Sequence, residues 1–329
     1  MKEKYLIIGS NSFSGSNFIN FILSKKKRVI GVSRSNEINK VYLPYRSNKY
    51  VGNFSFFKID LNKDCLKLVK IIKKFKPNYI INFSAQGMVA ESWKYPLDWY
   101  NTNLISQIRL HENIRKFKFI KKYIHFTTPE VYGSSKKILK ENFQFNPSTP
   151  YASSRAACDL HLKTYIKAYK FPVIFTRTSN VFGPCQQIFR IVPKTIIFGK
   201  KNKKISLHGG GNSYRSFIFI DDVSDAIYKI LRKGKIGHTY HITTNKFISI
   251  RQLVKKIFKK MSYNIDMTTG SKERLGKDHS YKLSSQLIRT KIKWKPQVKL
   301  DDGIEKTINW VNKNFNTLKK HKTEYKHKK

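Results

Sequence analysis

The 329-residue chain is poor in acid: 20 Asp plus Glu stand against 66 Lys plus Arg, a formal net charge of +46 at pH 7. Cysteine is scarce too. Cys65, Cys158 and Cys185 lie far apart with no CxxC pair, which argues against a zinc site or a disulfide framework and for three reduced packing residues. No apolar run approaches the roughly 18 to 20 residues needed to span a bilayer. The N-terminus reaches a Gly/Ser-rich turn too soon for a signal peptide. These absences predict a cytoplasmic protein with no membrane association. Alanine occurs only 7 times, and the cations are 53 Lys against 13 Arg. Bias toward A/T-rich codons produces that signature, so the charge reads either as drift on a solvated surface or as a polyanion-binding face. The densest basic runs, 25–28, 200–204 and 319–329, fall at element ends or a terminus.

What is present is a core. With 40% hydrophobic and 14% aromatic residues, the chain is not a disordered polyelectrolyte, and its length predicts one large α/β domain or two unequal lobes. Short β-branched or aromatic runs at 5–8, 29–32, 56–59, 79–83, 123–126 and 173–176 alternate with helical periodicity at 18–23, 65–75, 104–117 and 152–169. That alternation predicts βαβ units and a doubly wound parallel sheet of Rossmann type. After about residue 180 the rhythm becomes loop-rich, so the expected division is a dinucleotide-binding domain over 1–180 and a smaller C-terminal substrate lobe over 181–318. Some segments of that lobe are expected to return to the core. A Lys-rich tail, 319–329, is expected to be disordered.

Directly after the first strand comes Gly9-Ser10-Asn11-Ser12-Phe13-Ser14-Gly15. Glycines there let the backbone turn tightly and approach a pyrophosphate, whose charge sits on the helix N-terminus. The second strand ends Ser33-Arg34, with no acid for a ribose 2′-hydroxyl. A small hydroxyl residue followed by arginine suits a 2′-phosphate, which favours NADP+ over NAD+. Asp60, ending the third strand, is placed either to accept from an adenine amino group or to cap the next helix. A pair of segments is more specific: Thr128-Pro129-Glu130 after a strand, and Tyr151 with Arg155 four residues on. That spacing puts the phenol and the cation on one helical face. The cation favours phenolate, as a tyrosine base requires, while Thr128 adds a hydroxyl and Glu130 a carboxylate. Ala152, Ala156 and Ala157 cluster on the same helix, which implies close approach to sheet or cofactor.

Together these segments resemble the extended short-chain dehydrogenase/reductases, specifically the nucleotide-sugar 4,6-dehydratases. The likeness runs from Tyr5 to about Val311. It includes Arg177-Thr178-Ser179-Asn180-Val181-Phe182-Gly183-Pro184, the stretch Gly209-Gly210-Gly211-Asn212-Ser213-Tyr214-Arg215, and Arg274-Leu275-Gly276-Lys277-Asp278. The resemblance implies a cofactor site of Gly9, Asn11, Ser12, Phe13, Gly15, Ser33, Arg34, Asp60, Leu61, Phe83, Ser84, Ala85, Tyr151 and Arg155. It implies a substrate site of Gln86, Asn180, Arg190, Arg215, Arg274 and Asp278, with the arginines offering forked donors to a diphosphate. Catalysis falls to Tyr151, Arg155, Thr128 and Glu130, with NAD(P)+ and no metal. A homodimer through 104–117 and the Tyr151 helix is also implied.

Three departures from the family pattern stand out. Ser12 replaces the middle glycine of the turn, and Arg155 replaces the usual lysine. Pro129 stands where such dehydratases carry an acidic residue that protonates the leaving hydroxyl. The expected activity is therefore an NDP-sugar 4,6-dehydratase in which Glu130 has lost its usual partner. An NDP-sugar C4 epimerase or UDP-glucuronate decarboxylase is the enzymatic alternative. A non-catalytic NAD(P)-binding protein on RNA or an anionic surface is the alternative from another class. The cations with assigned roles, Arg34, Arg155, Arg215 and Arg274, are all arginines, so the lysine excess itself does not call for nucleic acid.

Overall fold

A computed structural model describes residues 3–263, 268–276 and 278–327; Lys277, and Lys328 and Lys329 of the tail, lie outside them. Seven parallel strands form the central sheet: β1 (Lys4–Ile8), β2 (Arg28–Ser33), β3 (Phe54–Lys58), β4 (Tyr79–Asn82), β5 (Lys122–Thr127), β6 (Val173–Thr178) and β7 (Thr239–Ile242). Their order is β7-β6-β5-β4-β1-β2-β3. Successive residues of β1 enter opposite cores, because side chains alternate across a strand. Tyr5 and Ile7 pack on one face, and Leu6 and Ile8 on the other. Each such fully buried side chain contributes roughly 1.5–3 kcal/mol.

Helices α1 (Phe13–Ser24), α2 (Cys65–Phe75), α3 (Ser106–Ile114) and α4 (Pro150–Tyr169) flank the sheet. A single π-helical turn, Asn101–Ile105, leads into α3. Thr149 caps α4 by accepting from the Ala152 N–H at 3.2 Å, with Pro150 in the first turn, where its missing donor costs nothing. Beyond β6 come α5 (Ile191–Lys200), α6 (Ile220–Lys233), α7 (Ile250–Lys260) and α8 (Leu300–Leu318). β7 extends the main sheet beside β6, and α6 contributes Val223, Ile227 and Ile230 to the same core as α1. The rest of this half is held by two-stranded pairings such as Asn180–Phe182 with Phe217–Phe219. No helix among the described residues is long and apolar enough to cross a membrane.

Strand order reverses between β1, which pairs with β2 on one side and β4 on the other. The loops leaving β1 and β4 diverge there and open a crevice at the carboxyl ends of the strands, where ligands bind in sheets of this kind.

Of the tail expected to be disordered, residues 319–327 are described. His321, Thr323, Tyr325 and His327 are half-buried, while Lys322, Glu324 and Lys326 between them are exposed. The lysines reach water and the aromatic residues find partners: Tyr42 for His321, Phe189 for Tyr325, and Tyr95 with Trp99 for His327.

Candidate active site

The turn after β1 is shaped by two glycines. Gly9 has φ +85°, and a Cβ there would stand 2.8 Å from the Ser84 nitrogen; at Gly15 a Cβ would meet the Gly9 carbonyl oxygen at 2.3 Å. Ser12 has φ −71°, so this position does not need glycine. Its hydroxyl caps α1 instead, accepting from the Gly15 N–H at 3.0 Å and donating to the Gly9 carbonyl at 2.7 Å. The N-terminus of α1 thus follows directly on the glycine turn, a position that favours a bound anion. Phe13 and Leu61 belong to the two cores behind the loops. Phe83 is packed against Phe18 and Phe126, so it forms the floor. Ser84 donates to the Asn82 side chain at 2.6 Å, and Ala85 is exposed beside it.

At the end of β2 the expected pair separates. Ser33 turns inward, its Oγ accepting from the Asn11 N–H at 3.0 Å, while the Asn11 amide donates to the carbonyls of Ser35 and Asn36 at 3.2 and 2.9 Å. Ser33 thus stitches two loops together instead of facing a ligand. Arg34 lines a groove of about 600 Å³ with Ser35, Asn36, Glu37, Ile38, Lys58 and Asp60. Asp60 also accepts from the Asn62 N–H at 3.0 Å, so it shapes the turn before α2 and faces the groove as well. Lys58 was not signalled by any motif.

The reacting groups gather at the ends of β5 and α4. Thr128 caps the short turn Pro129–Tyr132, accepting from the Glu130 N–H at 3.3 Å, and its hydroxyl also bonds the Tyr151 phenol. Pro129 occupies the first position of that turn, which suits its fixed φ. The residue that removes an acid from the site therefore stiffens the turn carrying Glu130. Burial pushes the Glu130 carboxyl up to about 7; Asp278 adds to the rise, and Arg215, Arg274 and Arg190 oppose it. A carboxyl poised there accepts and returns a proton near neutral pH. The expected depression of Tyr151 is not the net result in the protein alone. Burial and then Glu130 raise the phenol, while Arg155 and the Thr128 bond pull it down.

Arg155 is 1% exposed. It donates to the Phe126 carbonyl and lies 3.5 Å from the His125 Nε2. Its Nε and Nη1 are buried without a hydrogen-bond partner. Buried donors of this kind are rarely left unmet, and beside Tyr151 they match the hydroxyls of a cofactor ribose. With the glycine cradle at Gly9 and Gly15, the residues present fit a nicotinamide dinucleotide. Behind Arg155, Asp159 bonds Arg177 at 2.8 Å and lies 3.2 Å from His125. Burial alone would raise Asp159; Arg177 and His125 outweigh it and hold the carboxyl below its ordinary range.

On the substrate side the expectations divide. Arg215 does not present a free fork: it donates to the carbonyls of Tyr214, Asp278 and His279 at 2.8, 2.6 and 3.1 Å, and stacks over Tyr281. Its role is to tie the 278–279 loop in place. Arg190 and Arg274 are exposed and act on Glu130, which leaves them suited to an anionic ligand. Asp278 accepts from Ser148 at 3.0 Å, and Asn180 accepts from Tyr281 at 3.1 Å. The Gln86 backbone is clamped by Asn103, whose amide also reaches Ser154 on α4 at 3.0 Å. Asn103 and Tyr281 escaped sequence reasoning. For Asn103 the signal is its place in the π-helical turn, a feature frequent at functional sites.

Comparison with known proteins agrees with this architecture. A family model described as GDP-mannose 4,6 dehydratase matches residues 6–307. The mouse dTDP-D-glucose 4,6-dehydratase is 34% identical over 286 residues, covering 83% of this chain and 78% of the mouse protein. The Haemophilus influenzae dTDP-glucose 4,6-dehydratase is 27% identical over 334 residues, covering 93% and 96%. A crystal structure of dTDP-glucose 4,6-dehydratase from Bacillus anthracis in complex with NAD superposes with a TM-score of 0.86 at 27% identity, covering 96% of this chain and 99% of that one. The chain belongs to the GDP-mannose 4,6-dehydratase family, the nucleotide-sugar 4,6-dehydratases of the extended short-chain dehydrogenase/reductases.

Proposed function

We propose that this protein converts a nucleotide-hexose to its 4-keto-6-deoxy form, with Glu130 serving as both the base and the acid of the elimination. The observation that carries this reading is the Glu130 carboxyl, pushed up to about 7 on a turn where proline has removed the neighbouring acid. When bound, the nicotinamide dinucleotide supplies a reversible hydride acceptor. Tyr151 takes the proton of the 4-hydroxyl, with Thr128 bonded to its phenol and Arg155 favouring the phenolate. The resulting C4 ketone acidifies the C5 proton. Glu130 removes that proton and delivers it to the departing C6 hydroxyl, which leaves as water, so the carboxylate is restored. Return of the hydride to C6 then completes the 4-keto-6-deoxy sugar, with C5 taking a proton from solvent in exchange for the one Tyr151 gives up. Arg190 and Arg274 hold the diphosphate, and Gln86, Asn180 and Asp278 line the sugar side.

The dinucleotide we infer is NADP+, supported by Arg34 and Lys58 on the groove beyond β2 and β3. Exposed Leu97, Ile105, Leu160 and Tyr169, on or beside the helices expected to pair, support a homodimer. Three unpaired cysteines fit the reducing cytoplasm.

The test is incubation of the purified protein with UDP-, dTDP-, GDP- and CDP-hexoses while product mass is followed. Loss of one water supports the dehydratase. An unchanged mass indicates a C4 epimerase, and loss of carbon dioxide from a hexuronate indicates a decarboxylase; both share the oxidation at C4. The dinucleotide released on denaturing the same sample identifies the cofactor.

A further inference from the structure

The C-terminal segment makes specific contacts across the crevice. His321 Nδ1 lies 2.7 Å from the Tyr42 hydroxyl, and the Tyr42 carbonyl accepts from Ser16 on the first turn of α1 at 3.3 Å. Tyr325 donates to Gln86 Oε1 at 3.4 Å and meets Phe189 edge-on at 5.5 Å. His327 Nε2 is 2.6 Å from Asp98 Oδ2, with its ring 4.9 Å from Tyr95 and 5.0 Å from Trp99. The segment therefore starts beside the N-terminus of α1, passes between Gln86 and Phe189, and ends beyond β4. Every second residue of 321–327 is half-buried against the protein and those between are exposed. The Tyr325 phenol, which burial pushes up, also feels Arg34 from the dinucleotide side and Arg190 from the substrate side.

We propose that residues 321–327 form a strap over the cofactor groove and that Tyr325 is its ligand-facing residue. The strap is anchored on the dinucleotide-binding half at both ends, by His321 and His327, and touches the substrate half at Phe189. Retention suits a reaction that takes hydride from the substrate and returns it to the same molecule, since the dinucleotide has no need to leave between turnovers. The inference rests on the reading that the crevice binds a nicotinamide dinucleotide.

The experiment uses the full-length protein loaded with reduced nicotinamide dinucleotide, its release followed by fluorescence after addition of excess oxidised dinucleotide. In the Tyr325→Ala/His327→Ala variant release accelerates roughly tenfold or more, since contacts of this kind act on the dissociation rate. Tyr325→Phe keeps the ring on Phe189 and loses only a long hydrogen bond, so its release stays within about twofold of the parent. Lysine content is unchanged in both variants, so a change in release does not reflect altered tail charge. Unchanged release in the double variant overturns the strap. Slower release or tighter binding also overturns it, because the segment would then be a plug that the cofactor displaces. A parent protein that binds neither NAD(H) nor NADP(H) overturns the underlying reading of the crevice, and the strap with it.

Discussion

Asp159 and Arg177 meet at 2.8 Å with neither side chain exposed. Asp159 sits one helical turn beyond Arg155, itself one turn beyond Tyr151, so a single helix face carries the phenol, the cation and the buried counter-charge. Two arginines share this pocket, and Asp159 is the carboxylate bonded within it, also reached by the Thr127 hydroxyl at 3.3 Å. Asp159→Ala leaves Arg177 buried and unpaired, a change that costs about 3–5 kcal/mol. Urea unfolding checks it; a loss below about 1 kcal/mol contradicts the assigned role.

Ser12 offers a finer test. As the cap of α1 it replaces a family glycine at a position with ordinary negative φ. Ser12→Ala is expected to cost about 1 kcal/mol and Ser12→Gly only a few tenths. Thermal or denaturant unfolding of the two variants ranks them; a glycine variant less stable than the alanine variant contradicts the capping role.

Glu130 predicts a coupled pH effect. Its value in the folded protein, about 7, lies above the ordinary 4.5, so folding favours the neutral carboxyl. Its contribution to stability is fully present below pH 4.5 and is lost as pH rises through about 7. Glu130→Gln is therefore stabilising at pH 8 relative to pH 5, by on the order of 1–3 kcal/mol after allowance for partial exposure. Unfolding free energies at the two pH values provide the measurement. Elimination by the parent protein, which needs the ionised base, rises with pH through the same window.

Much of the site was legible because it is local. Tyr151 and Arg155 share a face by helical spacing, Thr128 and Glu130 share one turn, and Gly9 and Gly15 announce a βα turn. The alternation of apolar runs likewise located six strands of the sheet. What was not legible depends on contacts between distant segments. Arg215 faces carbonyls rather than ligand because the 278–279 loop, 63 residues away in sequence, closes on it. Ser33 faces Asn11 across 22 residues, and Lys58 acquires its position only when β3 pairs with β2. Composition made the tail look disordered, since its lysines outweigh everything else. The alternation of His321, Thr323, Tyr325 and His327 with charged residues is visible in the same sequence, and it marks a segment with one face down.

The central claim is that Glu130 carries the proton from C5 to the leaving hydroxyl. Its most direct test is the Glu130→Gln protein mixed with a nucleotide-hexose that the parent dehydrates, with nicotinamide absorbance and product mass followed together. The account predicts that absorbance of the reduced cofactor accumulates while the sugar retains its water. Formation of the 4-keto-6-deoxy product at the parent rate contradicts it.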